Sequence, residues 1–497
     1  ISMGVTIIAT GNTYKLLIQS GVEAIEVAEY TGYPEIMDGR VKTLHPKIHG
    51  GILGDRNDHA KDMNSLEIDP IDLVIVNLYP FSEVAANKKS TEREIIEQID
   101  IGGVALLRAS AKNFNFVTVL SSVQDYQFFI ENSNYSEEGL EFPFQHRKNL
   151  AAKAFALTMG YDTAISNWML NNNTHNKELP NNFGLIGSKR QVLRSGENPH
   201  QNAAFYSDVF SSYPIAQLSG KELSFNNILD IERALSIVKE FSLPTAAIVK
   251  HNNPCGVAEK DTLLSAYISA LSCDEQSAFG GIVAFNKPVD VDLAKELVKI
   301  FLEVIVAPDI SPEALEVLKE KKNLRIMKSS SFYEDDNSGS IAQREQIYDI
   351  KQVTGGFLLQ QKDKSQLLES NIKYVTELKP TPEQLEDLIF AWKICKHVKS
   401  NAIVIVKNKR TIGIGAGQMS RVDSIKIAIQ KSQEATQGAV LASDAFFPFA
   451  DSIELAHKAG IAAIIQTGGS IRDQEVIDVA NKYGIPMIFS GIRNFSH

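Results

Sequence analysis

The sequence predicts an α/β protein of more than one domain, and three observations carry that prediction. Short apolar, β-branched runs alternate with stretches of helical spacing along the chain. The 497 residues are too many for a single hydrophobic core. A polar, Asn-rich stretch at 170–182 (LNNNTHNKELPNN) divides the alternating pattern in two.

Residues 5–9 (VTIIA) read as a buried strand, and helical spacing follows from Tyr14 to Gly21. Residues 73–78 and 116–120 read as further strands, with helices around 90–98 and 104–112 between them. The order strand, helix, strand predicts a mainly parallel first sheet. Beyond the polar stretch, strands are expected at 246–249, 281–285, 402–406, 439–442 and 462–466. A second polar break, 329–339, reads as an exposed loop. No short repeat is evident. Lys250/His251 and Lys399/Asn401 each border an Ala/Ile/Val strand, which hints at two related halves.

Composition narrows the function. A net charge of −10 argues against a nucleic-acid-binding surface but leaves room for a cleft with a few convergent cations. The three cysteines, Cys255, Cys273 and Cys395, are widely spaced, which excludes a CxxC zinc site or a disulfide framework and suits a reducing cytoplasm. No run of about 18 apolar residues predicts a membrane span. The first residues carry no signal-peptide pattern.

Several segments carry residue types suited to small anionic substrates. Thr10-Gly11-Asn12-Thr13 lies between a strand and a helix, so it reads either as a phosphate cradle or as an ordinary capped turn. Residues 37–51 (MDGRVKTLHPKIHGG) crowd Arg40, Lys42, Thr43, His45 and His49 together. Pro46 between the two histidines disfavours the helix interior that an i,i+4 metal pair needs, so anion or carboxamide binding is the better reading. Tyr79 stands at a strand end, where α/β sheets bind ligands, as donor or as rim aromatic. Asp100 precedes a Gly-Gly turn, and Arg108 and Lys112 share one face of the helix that follows. Lys250-His251 directly after a buried strand suits proton transfer, His being the natural acceptor near neutral pH. Loops 194–201 (RSGENPHQ) and 220–230 (GKELSFNNILD) are rich in groups that bind phosphate, ribose or amide. The 443–451 stretch (SDAFFPFAD) reads as a flat-ring pocket or as a hydrophobic plug. GIGAG at 413–417 lacks the pattern of a dinucleotide site.

Together and in this order, DGRVKTLHP, NLYPF, IDIGG, RASAKN, RxGENPHQ, LSFNN, KHNNPCG, SAFGGI, KSNAIV, GAGQMSR, SDAFFPF and TGGS resemble the bifunctional AICAR transformylase/IMP cyclohydrolase family of purine synthesis, essentially from end to end. The resemblance implies a methylglyoxal-synthase-like cyclohydrolase domain at 1–172 and a linker at 173–185. It implies a transformylase of two cytidine-deaminase-like subdomains at 186–497, broken near 329–375. The reactions implied are formyl transfer from 10-formyltetrahydrofolate to AICAR, then dehydrative closure of formyl-AICAR to IMP. A cytoplasmic homodimer without zinc follows, since the HxE and PCxxC signature of zinc deaminases is absent.

The resemblance also assigns residues. Lys42, Tyr79, Asp100 and Lys112 match the cyclohydrolase catalytic group. Arg40, Thr43, Gly102 and the Thr10, Gly11, Asn12, Thr13 turn match its nucleotide contacts. Lys250 and His251 match the transformylase catalytic pair, with Asn401 orienting substrate or stabilising an oxyanion. Arg194, Asn226, Asn227, Phe279, Gly280 and Arg493 match nucleotide contacts. Phe446, Phe447 and Asp451 fall in the folate region, and Asp444 matches a site for a potassium ion. Ser195 stands where some relatives have Tyr. The strand and phosphate-binding loop with which family members begin is expected to be missing from the first domain.

Overall fold

The computed structural model describes residues 5–87, 89–136, 139–172, 179–207, 214–332, 348–432 and 435–497. Part of the expected linker (173–178) and most of the expected loop at 329–339 lie outside the described residues. The chain divides into two compact units at Ser188/Lys189, and the hairpin Tyr348–Val353/Gly356–Gln361 groups with the first. The break expected near 329–375 therefore contains an element of the first unit.

In the first unit, Ile8–Ala9 pairs in parallel with Ile25–Glu26, and Leu73–Ile75 with Thr118–Leu120. The predicted strands are present but shorter, because the chain leaves the ladder at Val76 and Val117. Helices Pro46–Leu53, Gly102–Lys112 and Phe144–Asn172 cover the second pair. Leu107, Ala111, Val119, Leu120, Leu150 and Ala154 form its buried core.

The second unit holds two six-stranded sheets of one topology. In the first sheet the order is Asn253–Glu259, Thr245–Lys250, Ile282–Phe285, Val304–Ala307, Arg325–Ser329, Ile215–Ser219. In the second it is Thr411–Gly415, Ile403–Val406, Val440–Ser443, Ala463–Gln466, Met487–Phe489, Lys373–Tyr374. Both run antiparallel, antiparallel, parallel, parallel, antiparallel across the sheet. Most of the inner strands are wholly buried, as expected where both faces of a sheet are covered. That burial explains why they read from sequence as unbroken apolar runs, to within a residue of the predicted limits.

The two halves match without a gap from Ser224 to Asn253, each residue corresponding to the one 157 positions on. Ser224 and Thr381 cap helices Phe225–Val238 and Pro382–Cys395, both with capping boxes. Both following strands carry a bulge at the same place, after Ile248 and Ile405. The hint of two related halves was sound, but its residue match was wrong. Lys250-His251 corresponds to Lys407-Asn408, and Lys399-Ser400-Asn401 corresponds to Ser242-Leu243-Pro244. The two helices share one core through Ile231, Leu235, Leu388 and Trp392. The sheets meet edge to edge at the bridge Ala258–Arg410.

Candidate functional site

In the first unit, helix Gly11–Gln19 begins three residues before the predicted start, so Gly11, Asn12 and Thr13 form its first turn and Thr10 its N-cap. Gly11 has φ +51°, and a Cβ there would lie 3.7 Å from Lys42 Nζ. Lys42 also reaches Glu35 at 3.4 Å, while Arg40 pairs with Glu97. Thr43 Oγ1 lies 2.7 Å from where a Cβ on Gly102 would be, so Gly102 lets the Lys42–Thr43 segment approach the start of helix Gly102–Lys112. At that start Asp100 Oδ1 accepts the Gly103 N–H at 2.7 Å. The Tyr161 hydroxyl accepts the Asp100 N–H at 2.9 Å and donates to Gln98 O. Burial pushes the Tyr161 phenol up to about 12, so it stays a donor. Tyr79 is half-exposed.

Lys112 sits at the far end of this helix, about 15 Å from Gly102 at 1.5 Å per residue. A groove of about 900 Å³ follows the helix and is lined by both Asp100 and Lys112, together with His49, Arg108 and Phe155. Pro46 does not break the helix here but occupies its first turn, which Pro tolerates. His45 is its N-cap, with Nδ1 accepting the Lys47 N–H. Among the described residues, no group of three or more His, Cys, Asp or Glu could hold a metal ion.

In the second unit, Lys250 ends its strand, and His251 and Asn252 turn the chain at φ +55° and +61°. Two successive left-handed residues suit His and Asn better than branched side chains. Lys250 Nζ donates to Phe279 O at 2.8 Å, directly before Gly280 at φ +74°. Phe279 is 59% exposed, its ring 5.3 Å from Phe301. Asn253 Oδ1 accepts the Lys399 N–H at 2.9 Å, which joins this turn to the Lys399–Asn401 segment. Sequence reasoning missed Asp230, whose carboxylate accepts from the turn, and Arg421.

Asn401 is fully engaged. Its Nδ2 donates to Gln418 O and Met419 O, and its Oδ1 accepts from Arg421 at 2.8 Å. It therefore orders the 416–421 loop rather than presenting free donors. Asn227 is the capping-box partner of Ser224, buried and satisfied, which suits a structural role better than nucleotide contact. Asn226 ties its helix to the 194–201 loop through Glu197 O. The Arg194 and Arg493 side chains are exposed, the second lying 4.6 Å from the Phe495 ring. Phe446 is partly exposed, but Phe447 is wholly buried among Ile403, Leu441 and Ile464, so the plug reading holds for that ring. Asp451 begins helix Asp451–Lys458 and bonds Ser452 N–H. Asp444 is wholly buried; Oδ1 pairs with Arg421 and Oδ2 accepts from Ser400 at 2.6 Å.

Two separate constellations of cations, hydroxyls and amides, one with a histidine at a strand end, define a two-site α/β enzyme acting on small anionic molecules. Comparison with known proteins makes this specific. The model of the AICARFT/IMPCHase bienzyme matches residues 110–431, and that of the MGS-like domain matches 1–105. The chain is 50% identical over 501 residues to the bifunctional purine biosynthesis protein PurH of Thermoanaerobacter sp., covering all of this chain and 95% of that one. The protein of the same name from Magnetococcus marinus is 48% identical over 99% of this chain and 95% of its own. The one from Bacillus cereus is 49% identical over 100% and 96%. The chain belongs to the AICARFT/IMPCHase bienzyme family. Its activity is that of the family: formyl transfer to AICAR and cyclisation of the product to IMP, the last two steps of purine synthesis.

Proposed function

We propose that the two reactions are divided between the units, ring closure within 1–172 and formyl transfer within 186–497. The observation that carries this is the Lys250-His251-Asn252 turn, a proton acceptor at a strand end that is bonded to the Lys399–Asn401 segment. In formyl transfer the 5-amine of AICAR attacks the formyl carbon of the folate. His251 takes the amine proton, tetrahydrofolate leaves, and formyl-AICAR remains. Lys250 lies beside the base and polarises the developing oxyanion. Exposed Arg194 and Arg493 serve the phosphate. The family uses a formyl-tetrahydrofolate co-substrate; that it is the 10-formyl form, received beside Phe446 and Asp451, is part of this proposal.

In ring closure the carboxamide nitrogen attacks the formyl carbon of the same molecule and water leaves. Holding the two groups together supplies much of the rate. Lys42 and Thr43 at the helix start bind and polarise, while Asp100, Tyr79 and Lys112 along the groove move protons. The potassium ion expected at Asp444 fits its carboxylate poorly, since the Arg421 guanidinium already balances that charge and would repel a second cation beside it. A homodimer in the cytoplasm completes the reading. Fully exposed Met419 and Ile471 support the first, and three free cysteines the second. Among the described residues no helix is long and apolar enough to cross a membrane.

The test is product analysis by mass-resolved chromatography after mixing the chain with AICAR and 10-formyltetrahydrofolate, repeated with formyl-AICAR alone. IMP from both mixtures is expected. Formyl-AICAR accumulating without IMP removes the ring-closing assignment, and no formyl product removes the other.

A further inference from the structure

Asp230 lies in the second turn of helix Phe225–Val238 and faces the turn that carries His251. Its Oδ1 accepts the Asn252 N–H at 2.6 Å, and the backbone of His251 lies beside the same carboxylate and helps to hold it ionised. Arg233, on the same helix, donates to Asn252 Oδ1 at 3.0 Å. One carboxylate thus anchors a turn of two consecutive residues held at positive φ. A left-handed non-glycine residue costs of order 1 kcal/mol or more, so such a pair persists where the surroundings fix it.

The second half of the unit gives an independent control. Asp387 is the residue matched to Asp230, and it accepts the N–H groups of Asn408 and Lys409 at 2.7 Å each. Those residues have φ +55° and +52°. The clamp therefore belongs to the duplicated fold. Only in the first half does the clamped turn carry a histidine, and only there does the anion lie beside a group that gains charge during reaction. Burial pushes the Asp230 carboxyl up, and its backbone hydrogen bonds, with His251 and Arg233, pull against that shift. The other charged groups here are Lys250, bonded to Phe279 O, and Lys399, whose ammonium donates to His497 O.

We propose that Asp230 is a positioning residue for formyl transfer, acting through His251 by fixing the turn that aims its imidazole. The proposal rests on His251 being the base.

The experiment compares Asp230→Asn with Asp387→Asn in the full chain, measuring formyl transfer, closure of added formyl-AICAR, and the thermal midpoint. For Asp230→Asn, kcat for formyl transfer falls about 10- to 100-fold, as slight misplacement of a reacting group does. KM for AICAR stays within about twofold, which separates aim from binding. Ring closure is unchanged. Asp387→Asn lowers the thermal midpoint comparably and leaves kcat intact. Should Asp230→Asn fail to fold, Asn252→Ala penalises the left-handed turn directly and is expected to lower kcat alone. Equal kcat in the two Asp variants, or a kcat loss matched by a rise in KM for AICAR, overturns the proposal. Full formyl transfer by His251→Ala would instead remove the base assignment on which it rests.

Discussion

Two turns in the second unit share almost every backbone device and differ in what they present. Lys250 ends its strand and Lys407 directly follows the equivalent one, and each ammonium donates at 2.8 Å to a carbonyl directly before a left-handed glycine, Phe279 before Gly280 and Gln437 before Gly438. Each turn has two positive-φ residues clamped by one aspartate. The first presents an exposed His251. The second has Asn408 instead, its carbonyl taken by Lys260, and Lys409 is held by Glu386 at 2.9 Å and Glu259 at 3.9 Å. Asn408 is exposed as well, so the two turns differ in residue type rather than in cover: the fold supplies the turn twice, and only the first presents an imidazole.

The sharpest break in this comparison is substitution of the two matched residues. His251→Ala is expected to slow formyl transfer about 10²- to 10⁴-fold, the usual worth of a positioned base. Closure of added formyl-AICAR should proceed at its normal rate. Asn408→Ala should change neither reaction. Separate steady-state assays of the two steps decide it; equal effects of the two variants would erase the distinction between the histidine turn and the asparagine turn.

The next contrast asks whether the halves are equally intolerant where they are alike. A Cβ on Gly256 would lie 1.9 Å from Ala270 O, and one on Gly413 2.1 Å from Ala428 O, both main-chain atoms. Each strand therefore packs so closely on its helix that only glycine fits. Gly256→Ala and Gly413→Ala should each destabilise the unit by about 1–3 kcal/mol or more, read as a drop in denaturant midpoint. A silent result at either position would mean that half is packed more loosely than its partner.

Much of this was legible in the sequence, and the gaps have physical causes. Buried strands such as Ile403–Val406 announce themselves as apolar runs, and strand-end motifs such as Lys250-His251 follow from them. The duplication was read at the wrong residues because Lys399 and Asn401 imitate Lys250 and His251 in composition while preceding, not ending, their strand. Asp230 falls in the 220–230 stretch read as a binding loop, but Phe225–Val238 forms a helix, and only the fold brings Asp230 to His251, 21 positions on. Phe447 and Asn227 sat in recognisable motifs, but a motif does not say which of its side chains point inward. Pro46 shows the same limit. It reads as a helix breaker, yet it stands in the first turn, where its missing N–H costs nothing.

A smaller effect should appear where the halves touch. Glu240 and His397 are matched positions that meet at 3.2 Å, with Lys396 on the same carboxylate at 3.2 Å. Burial raises Glu240, but its bond with His397 and the Lys396 charge outweigh this and hold it below the usual carboxylate range. Burial holds His397 below its ordinary value against the opposing pull of Glu240. A group with a depressed folded pKa loses stabilising effect as pH falls, because the unfolded chain binds its proton more readily. For His397 that loss begins below about pH 6.5, and for Glu240 below about pH 4.3. Thermal midpoints should therefore be level between about pH 6.5 and 8 and decline below that range. His397→Gln should remove the upper part of that decline, and an unchanged profile would place the acid sensitivity elsewhere.

The smallest expected effect concerns the ion pairs on the second turn. Lys409 is about one-third exposed, and its nearer partner Glu386 is more exposed still, 35% and 62% by side chain. Solvent and salt screen such a pair, so Lys409→Ala should cost about 0–1 kcal/mol. The loss should shrink as ionic strength rises from low salt toward about 0.15 M, where the screening length is about 8 Å. Formyl transfer should be untouched, because the Lys409 N–H that bonds Asp387 belongs to the backbone and survives the substitution. A loss well above 1 kcal/mol would show that the ion pairs, rather than the aspartate clamp, hold this turn, and would make the two turns less alike than their backbones suggest.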